Sequence, residues 1–325
     1  MRRRELLLGA AAFAAASNLS AQAPRVRRVA LAMPGVPEVD ARNVDSIRNR
    51  LRELGWVEGR TVEYSYGYAR GQSARYEPMI AELLAGKPDV LLVWFGLMAM
   101  IAKKQTQDVP IVFAISSNPD KSGLVASLAR PGGNVTGVST RELELLGKRI
   151  EILREITPGM TRVAVLVNPD SPEISKQYVD KYAEYASKAG MKLLSAGARS
   201  AAELRQAFDR LVREGAQGLL NIADPIQSAM RSDIAAQAAR VRLPAVYTAD
   251  FYVEAGGLAS YGIDPVDQAR RAAAYVDKIL RGAKPADLPV EEPTEFPLVV
   301  NLRAAREQGI KLPQSILVRA SRVIE

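Results

Sequence analysis

Neither cysteine nor histidine occurs anywhere in the 325 residues. The first absence excludes a disulfide framework, a thiolate nucleophile, a zinc knuckle and a lipid-modified N-terminal cysteine. The second excludes a Ser-His-Asp triad, an imidazole general base and a zincin site. Redox or lyase chemistry built on Lys, Tyr or carboxylates stays open. Long runs of one charge are missing as well. The 44 basic residues exceed the 36 acidic ones for a net charge of +8, yet they are interspersed with acids, as in Arg48, Arg50, Arg52 and Glu53. Such a mixed-sign surface argues against a nucleic-acid partner. With 48% hydrophobic and 25% charged residues, the composition excludes disorder and collagen-like sequence, and the length suggests two domains.

Present at the N-terminus are Arg2, Arg3 and Arg4, then a nearly unbroken apolar stretch from Leu6 to Ala16, then Ala21-Gln22-Ala23. This is the layout of a secretory signal, here residues 1–23. Its apolar run is far short of the roughly 20 residues a membrane-spanning helix needs. Arg3-Arg4-Glu5-Leu6-Leu7 also resembles a twin-arginine motif, which exports a folded protein. Both routes stay open, and Pro24 disfavours cleavage directly after Ala23. No later window offers roughly 18 consecutive apolar residues, so a soluble mature chain in a periplasm is expected.

From Arg27 onward, short β-branched runs alternate with amphipathic segments. Strands are expected at 28–33, 61–68, 89–95, 110–115 and 134–139, with helices at 40–54, 75–85 and 97–106 between them. Val44, Ile47, Leu51 and Leu54 hold helical spacing up to Gly55. The pattern then restarts. Helices are expected at 142–157, 171–189, 201–213, 226–241 and 265–281, and strands at 162–168, 191–196, 218–223, 244–248 and 258–262. The Tyr178, Tyr182 and Tyr185 stripe reads as core, and Gly132-Gly133 reads as a turn because it lacks the strand-to-helix context of a dinucleotide loop.

The repeat implies an α/β protein of two doubly wound parallel-sheet lobes joined by a hinge. Lobe one is expected to comprise 24–139 plus about 264–294, and lobe two 140–263 plus about 295–325. Three chain crossings, near Ser139, Ile263 and Phe296, would form the hinge. Ligands of such sheets bind beyond the carboxyl ends of the strands. Here those ends carry Pro34-Gly35, Gly96-Leu97, Ser116-Ser117-Asn118, Asn168-Pro169-Asp170-Ser171, Asp224-Pro225 and Tyr247-Thr248.

The stretches 54–60 (LGWVEGR), 123–137 (GLVASLARPGGNVTG), 162–169 (RVAVLVNP), 256–262 (GGLASYG) and 278–289 (KILRGAKPADLP) resemble the ABC transporter substrate-binding proteins of type I periplasmic-binding fold. That family includes the tryptophan and aromatic amino-acid binders. The likeness extends to 297–325 and spans nearly the whole mature chain. It implies a monomeric, non-enzymatic cleft binder that delivers a small solute to an inner-membrane permease, with no cofactor and no metal. This chain has Leu97 where the family often has Thr, and Asn118-Pro119-Asp120 where Asp-Pro-Val is common, so one hydroxyl and one rim carboxylate are absent.

Candidate ligand residues follow from the strand ends. Gly35, Gly96 and Leu97 offer backbone approach. Ser116, Ser117 and Ser171 present hydroxyls to a ligand carboxylate or serve as turn and cap residues. Asp224 holds a ligand ammonium or caps the following helix, with Asn168 as a neutral neighbour. Tyr68 and Tyr247 are placed to stack on an apolar ligand. On this reading Asp224→Asn weakens binding and leaves the melting temperature unchanged. Competing readings are a ligand sensor for a membrane kinase or chemoreceptor, and a periplasmic enzyme using carboxylates and Lys, although no nucleophile and base are suitably spaced. A repressor would need a helix-turn-helix where the export signal stands.

Overall fold

Continuous apolar strands sandwiched by helices on both faces build two separate sheets in the computed structural model, which describes residues 25–325. The arginine cluster and apolar stretch of 1–23 lie outside the described residues. The first sheet comes from β1 (Arg27–Met33), α1 (Pro37–Glu53), β2 (Val62–Tyr68), α2 (Tyr76–Ala85), β3 (Val90–Phe95), α3 (Gly96–Gln105), β4 (Ile111–Ser116) and β5 (Val135–Ser139). Its strands are all parallel, in the order β2-β1-β3-β4-β5. Val29 to Met33 and Val90 to Val93 are wholly buried, as central strands covered on both faces must be.

The second sheet is entered through α4 (Glu142–Ile156) and built from β6 (Arg162–Val167), α5 (Pro172–Lys188), β7 (Lys192–Gly197), α6 (Ala201–Arg213) and β8 (Gly218–Leu220). It continues through α7 (Pro225–Ala229), α8 (Arg231–Arg240), β9 (Ala245–Tyr247), α9 (Asp250–Glu254) and β10 (Ala259–Tyr261). After α10 (Pro265–Leu280) come β11 (Leu298–Asn301), α11 (Leu302–Gln308), α12 (Gln314–Arg319) and β12 (Arg322–Ile324). The order is β12-β11-β10-β9-β8-β6-β7, so the strands from β6 to β10 repeat the arrangement of the first sheet. Side chains alternate along β6: Val163 and Val165 pack with Tyr178 and Tyr182, Ala164 and Leu166 with Phe208 and Ile234.

Helix α10 leaves the second sheet after β10 and buries Ala269, Ala272, Ala273 and Val276 in the core of the first. The chain then returns, and β11, where no strand was expected, pairs antiparallel with β10, Ala259 opposite Val300. Two of the passages between the sheets run side by side, with Ser139 N donating to Glu291 O at 2.7 Å. The expected helix over 226–241 is two helices, broken at Met230 (φ −90°, ψ 15°). Neither Gly nor Pro stands there, so the break has no local sequence signal.

Candidate functional site

Between the sheets lies a cleft of about 410 Å³, a volume suited to a small-molecule ligand. It opens at the carboxyl ends of both sets of strands. The first lobe contributes Gly35, Val39, Asp40, Arg42, Trp94, Phe95 and Ile115; the second contributes Asp224, Ser228, Arg231, Thr248, Asp250, Phe251 and Glu254. Thr140, Glu142 and Ile263, on the passages between lobes, close the floor. Trp94 and Phe95 reach the cleft because β3 ends there, and Phe251 because the short α9 turns directly after β9.

Two carboxylates at the cleft differ in what satisfies them. Asp224 is the N-cap of α7, preceding Pro225 at the first helical position. Its Oδ1 accepts from Ile226 N at 2.9 Å and Gln227 N at 3.0 Å, and its Oδ2 accepts from Asn168 Nδ2 at 2.9 Å. Burial raises its pKa, and these three donors pull it back. Asp40 lies in the first turn of α1 but accepts from none of that helix's amides, and its Oδ2 accepts from Gly35 N at 2.8 Å. No other hydrogen bond to this carboxylate occurs among the described residues. Burial therefore dominates and pushes its pKa up to about 6, opposed by the Gly35 bond and the charge of Arg231. A Cβ at Gly35 would stand 2.8 Å from Asp40 Oδ2, so a larger residue there displaces this carboxylate.

Ion pairs bridge the lobes at the cleft's edge. Arg42 Nη1 donates to both carboxylate oxygens of Glu254, at 3.0 and 2.9 Å, and Nη2 lies 3.6 Å from Asp250 Oδ2. Arg322 donates to the same two acids. Glu142 on the floor is neutralised by the wholly buried Arg149, which also donates to Tyr261 O at 2.7 Å. The buried Tyr76 hydroxyl has no partner among the described residues, and after burial the nearby charges of Asp224 and Asp40 further raise its pKa. No group of three or more acidic side chains placed to hold a metal occurs among the described residues.

Of the sequence-derived candidates, Gly35 and Asp224 stand on the cleft wall. Asn168 backs Asp224, and Ser171 lies behind it, 3.4 Å from Asn168 Nδ2. Gly96 abuts Ser116, whose Oγ would stand 2.6 Å from a Cβ at that glycine; both flank the wall residues Phe95 and Ile115. Ser117 follows Ser116 and is half-buried, and Leu97 is exposed. None of these four is among the cleft-lining residues. Tyr68 stacks on Tyr66 at the sheet edge, with ring centroids 6.4 Å apart. Tyr247 is core and not cleft: it stacks on Tyr252 at 5.0 Å and is buried from both sides. Tyr178 and Tyr182 are core, as their spacing implied, whereas Tyr185 of the same stripe is half-buried and packs against that core.

Sequence reasoning passed over Asp40, Arg42, Trp94, Phe95, Arg231 and Phe251. Asp40 reads as a helix start, and Trp94-Phe95 as the end of an apolar strand. The aromatic pair at a strand's carboxyl end was the one available signal.

Residues 36–324 match the family described as ABC transporter substrate binding protein. A tyrosine-binding protein of Clostridioides difficile (strain R20291) is 25% identical over 252 residues, 77% of this chain and 72% of that protein. A conserved domain protein from Vibrio cholerae superposes with a TM-score of 0.83 at 27% identity, covering 92% of this chain and all of that one. An ABC domain from Streptococcus pneumoniae, solved in complex with L-Trp, gives 0.82 at 26% identity over the same 92% of this chain. The chain belongs to the ABC transporter substrate-binding protein family.

Proposed function

We propose that the protein is exported to the periplasm, captures an α-amino acid with an aromatic or apolar side chain between its lobes, and presents it to the permease of an ABC importer. The observation that carries this reading is the pairing, within one interlobe cleft, of an aromatic wall (Trp94, Phe95, Phe251) with a buried carboxylate, Asp40, that retains unused acceptor capacity. A ligand ammonium supplies the missing donors, and the aromatic wall removes the ligand's side chain from water. Asp224 is the weaker ammonium site, because three donors already occupy it. The tyrosine-binding relative and the L-Trp complex support the same ligand class. We further propose that the passages near Ser139, Ile263 and Phe296 are the hinge, and that residues 1–23 are removed on export.

Thermal unfolding against the twenty standard amino acids tests the reading. A ligand at 100 times its Kd adds about 2.7 kcal/mol to stability. The expected responders are tryptophan, tyrosine, phenylalanine or large aliphatic amino acids. A flat response across the panel sinks the proposal.

A further inference from the structure

We infer that Arg231 is the specificity-determining residue that takes the carboxylate of the ligand, so that the ligand's charged head spans the cleft from Asp40 on one lobe to Arg231 on the other. The inference rests on the amino-acid reading above and deepens it.

Two arginines line the cleft. Arg42 is engaged, its guanidinium held by Glu254 and Asp250. Arg231 is not: its one hydrogen bond among the described residues runs from Nη1 to Ser228 O at 3.1 Å, and no carboxylate lies within salt-bridge distance among those residues. A guanidinium has five donors, so most of its capacity is unused.

Arg231 is the first residue of the ten-residue α8 and directly follows Met230, the residue that ends α7, so its Nη1 turns back to the α7 carbonyl Ser228 O and its other donors are left without a protein partner among the described residues. An incoming carboxylate would take up the guanidinium's unused donors. Across the cleft, the charge of Arg231 acts on Asp40, yet the two form no salt bridge. Asp40 and Arg231 both line the cleft, from different lobes, an arrangement that suits a zwitterionic head with its ammonium toward Asp40 and its carboxylate toward Arg231. Because these residues belong to different lobes, the charged head of one α-amino acid would tie the lobes together, whereas its decarboxylated amine would leave Arg231 without a partner.

Calorimetric titration of the wild type and Arg231→Gln with L-tryptophan, L-tyrosine and L-phenylalanine, and with tryptamine, tyramine and phenethylamine, tests this. For the wild type, the amino acids should bind about 100-fold or more tighter than their amines, since leaving a desolvated charge unpaired is heavily penalised. For Arg231→Gln, amino-acid affinity should fall by about 30-fold or more while amine affinity changes little. The ligand-free variant should melt close to the wild-type temperature, because the one protein hydrogen bond lost is that to Ser228 O. A variant that keeps the wild-type preference for the amino acid overturns the inference alone. So does one that loses both ligand classes equally and melts lower, as a structural residue would. A wild type that binds none of the three amino acids overturns both the inference and the amino-acid reading.

Discussion

The two lobes share a strand order and each places an aspartate at its switch point, but the two aspartates are held differently. In lobe two, Asp224 directly precedes Pro225, so its carboxylate is captured by the amides of the helix it begins and by Asn168. In lobe one, α1 starts at Pro37, and Asp40, later in its first turn, accepts from none of that helix's amides and turns back to Gly35 N alone. Topology brings a carboxylate to each rim, and the offset between strand end and helix start decides whether it is spent on the backbone. A carboxylate buried with one donor is poorly satisfied without a ligand; one with three is a structural cap.

The largest test of this contrast is Asp40→Asn. Amino-acid affinity should fall by about 100-fold, the scale for removing one partner of a desolvated charge pair. Ligand-free thermal stability should hold or rise, since Asn still accepts from Gly35 N and no charge is buried. If titration shows Asp224→Asn to be the more damaging of the two for binding, the contrast fails.

Next in size is a pH effect with opposite signs for the two states. Asp40 has a pKa near 6 in the fold against 3.8 in the unfolded chain, so the folded protein retains a proton that the unfolded chain releases. Its contribution to ligand-free stability is present below 3.8 and is lost as pH rises through about 6. Ammonium binding needs the ionised form, so affinity should weaken as pH falls through that region, approaching about tenfold per pH unit. Titrations from pH 4 to 8 on the wild type and Asp40→Asn check this, the variant giving the flatter profile.

Smaller, and on stability, is Asp224→Ala, which should lower unfolding free energy by about 1–2 kcal/mol through loss of the cap. Asp224→Asn, expected from sequence alone to be thermally silent, should also melt lower. It retains an acceptor for Ile226 and Gln227 but turns an amide NH₂ toward Asn168 Nδ2. Asn168 cannot flip freely, because its Oδ1 accepts from Asp170 N at 2.9 Å. Thermal melts of both variants decide the point. The smallest effect is at the bridge between lobes: a double-mutant cycle of Arg42→Ala and Glu254→Gln on ligand affinity should give about 0.2–1 kcal/mol of coupling, diminishing with added salt.

Much of the scaffold was legible in the sequence. The expected helix over 201–213 is α6 to the residue, and the strand expectations fall on β1 to β10 with shifts of a few residues at their ends. The reason is local: a strand covered on both faces must be apolar throughout, and a helix covering it must be apolar on one face. The cleft was less legible. Gly35 and Asp224 stand at strand ends and could be named. Arg231 reaches the cleft through a break at Met230 that no Gly or Pro announces, and Phe251 through a five-residue helix too short to show periodicity.

What the sequence by itself determined was the repeated alternation of buried strands and amphipathic helices, hence two lobes with their rims at the strand ends, because burial imposes its period on every segment separately. Tertiary structure alone decided which rim residues meet. Arg42 and Glu254 are 212 positions apart and in contact, and Asp40 and Arg231 line one cleft from different lobes. Opposition across a cleft depends on where the chain passes between lobes and how each helix is turned, and neither leaves a period in the sequence to be read.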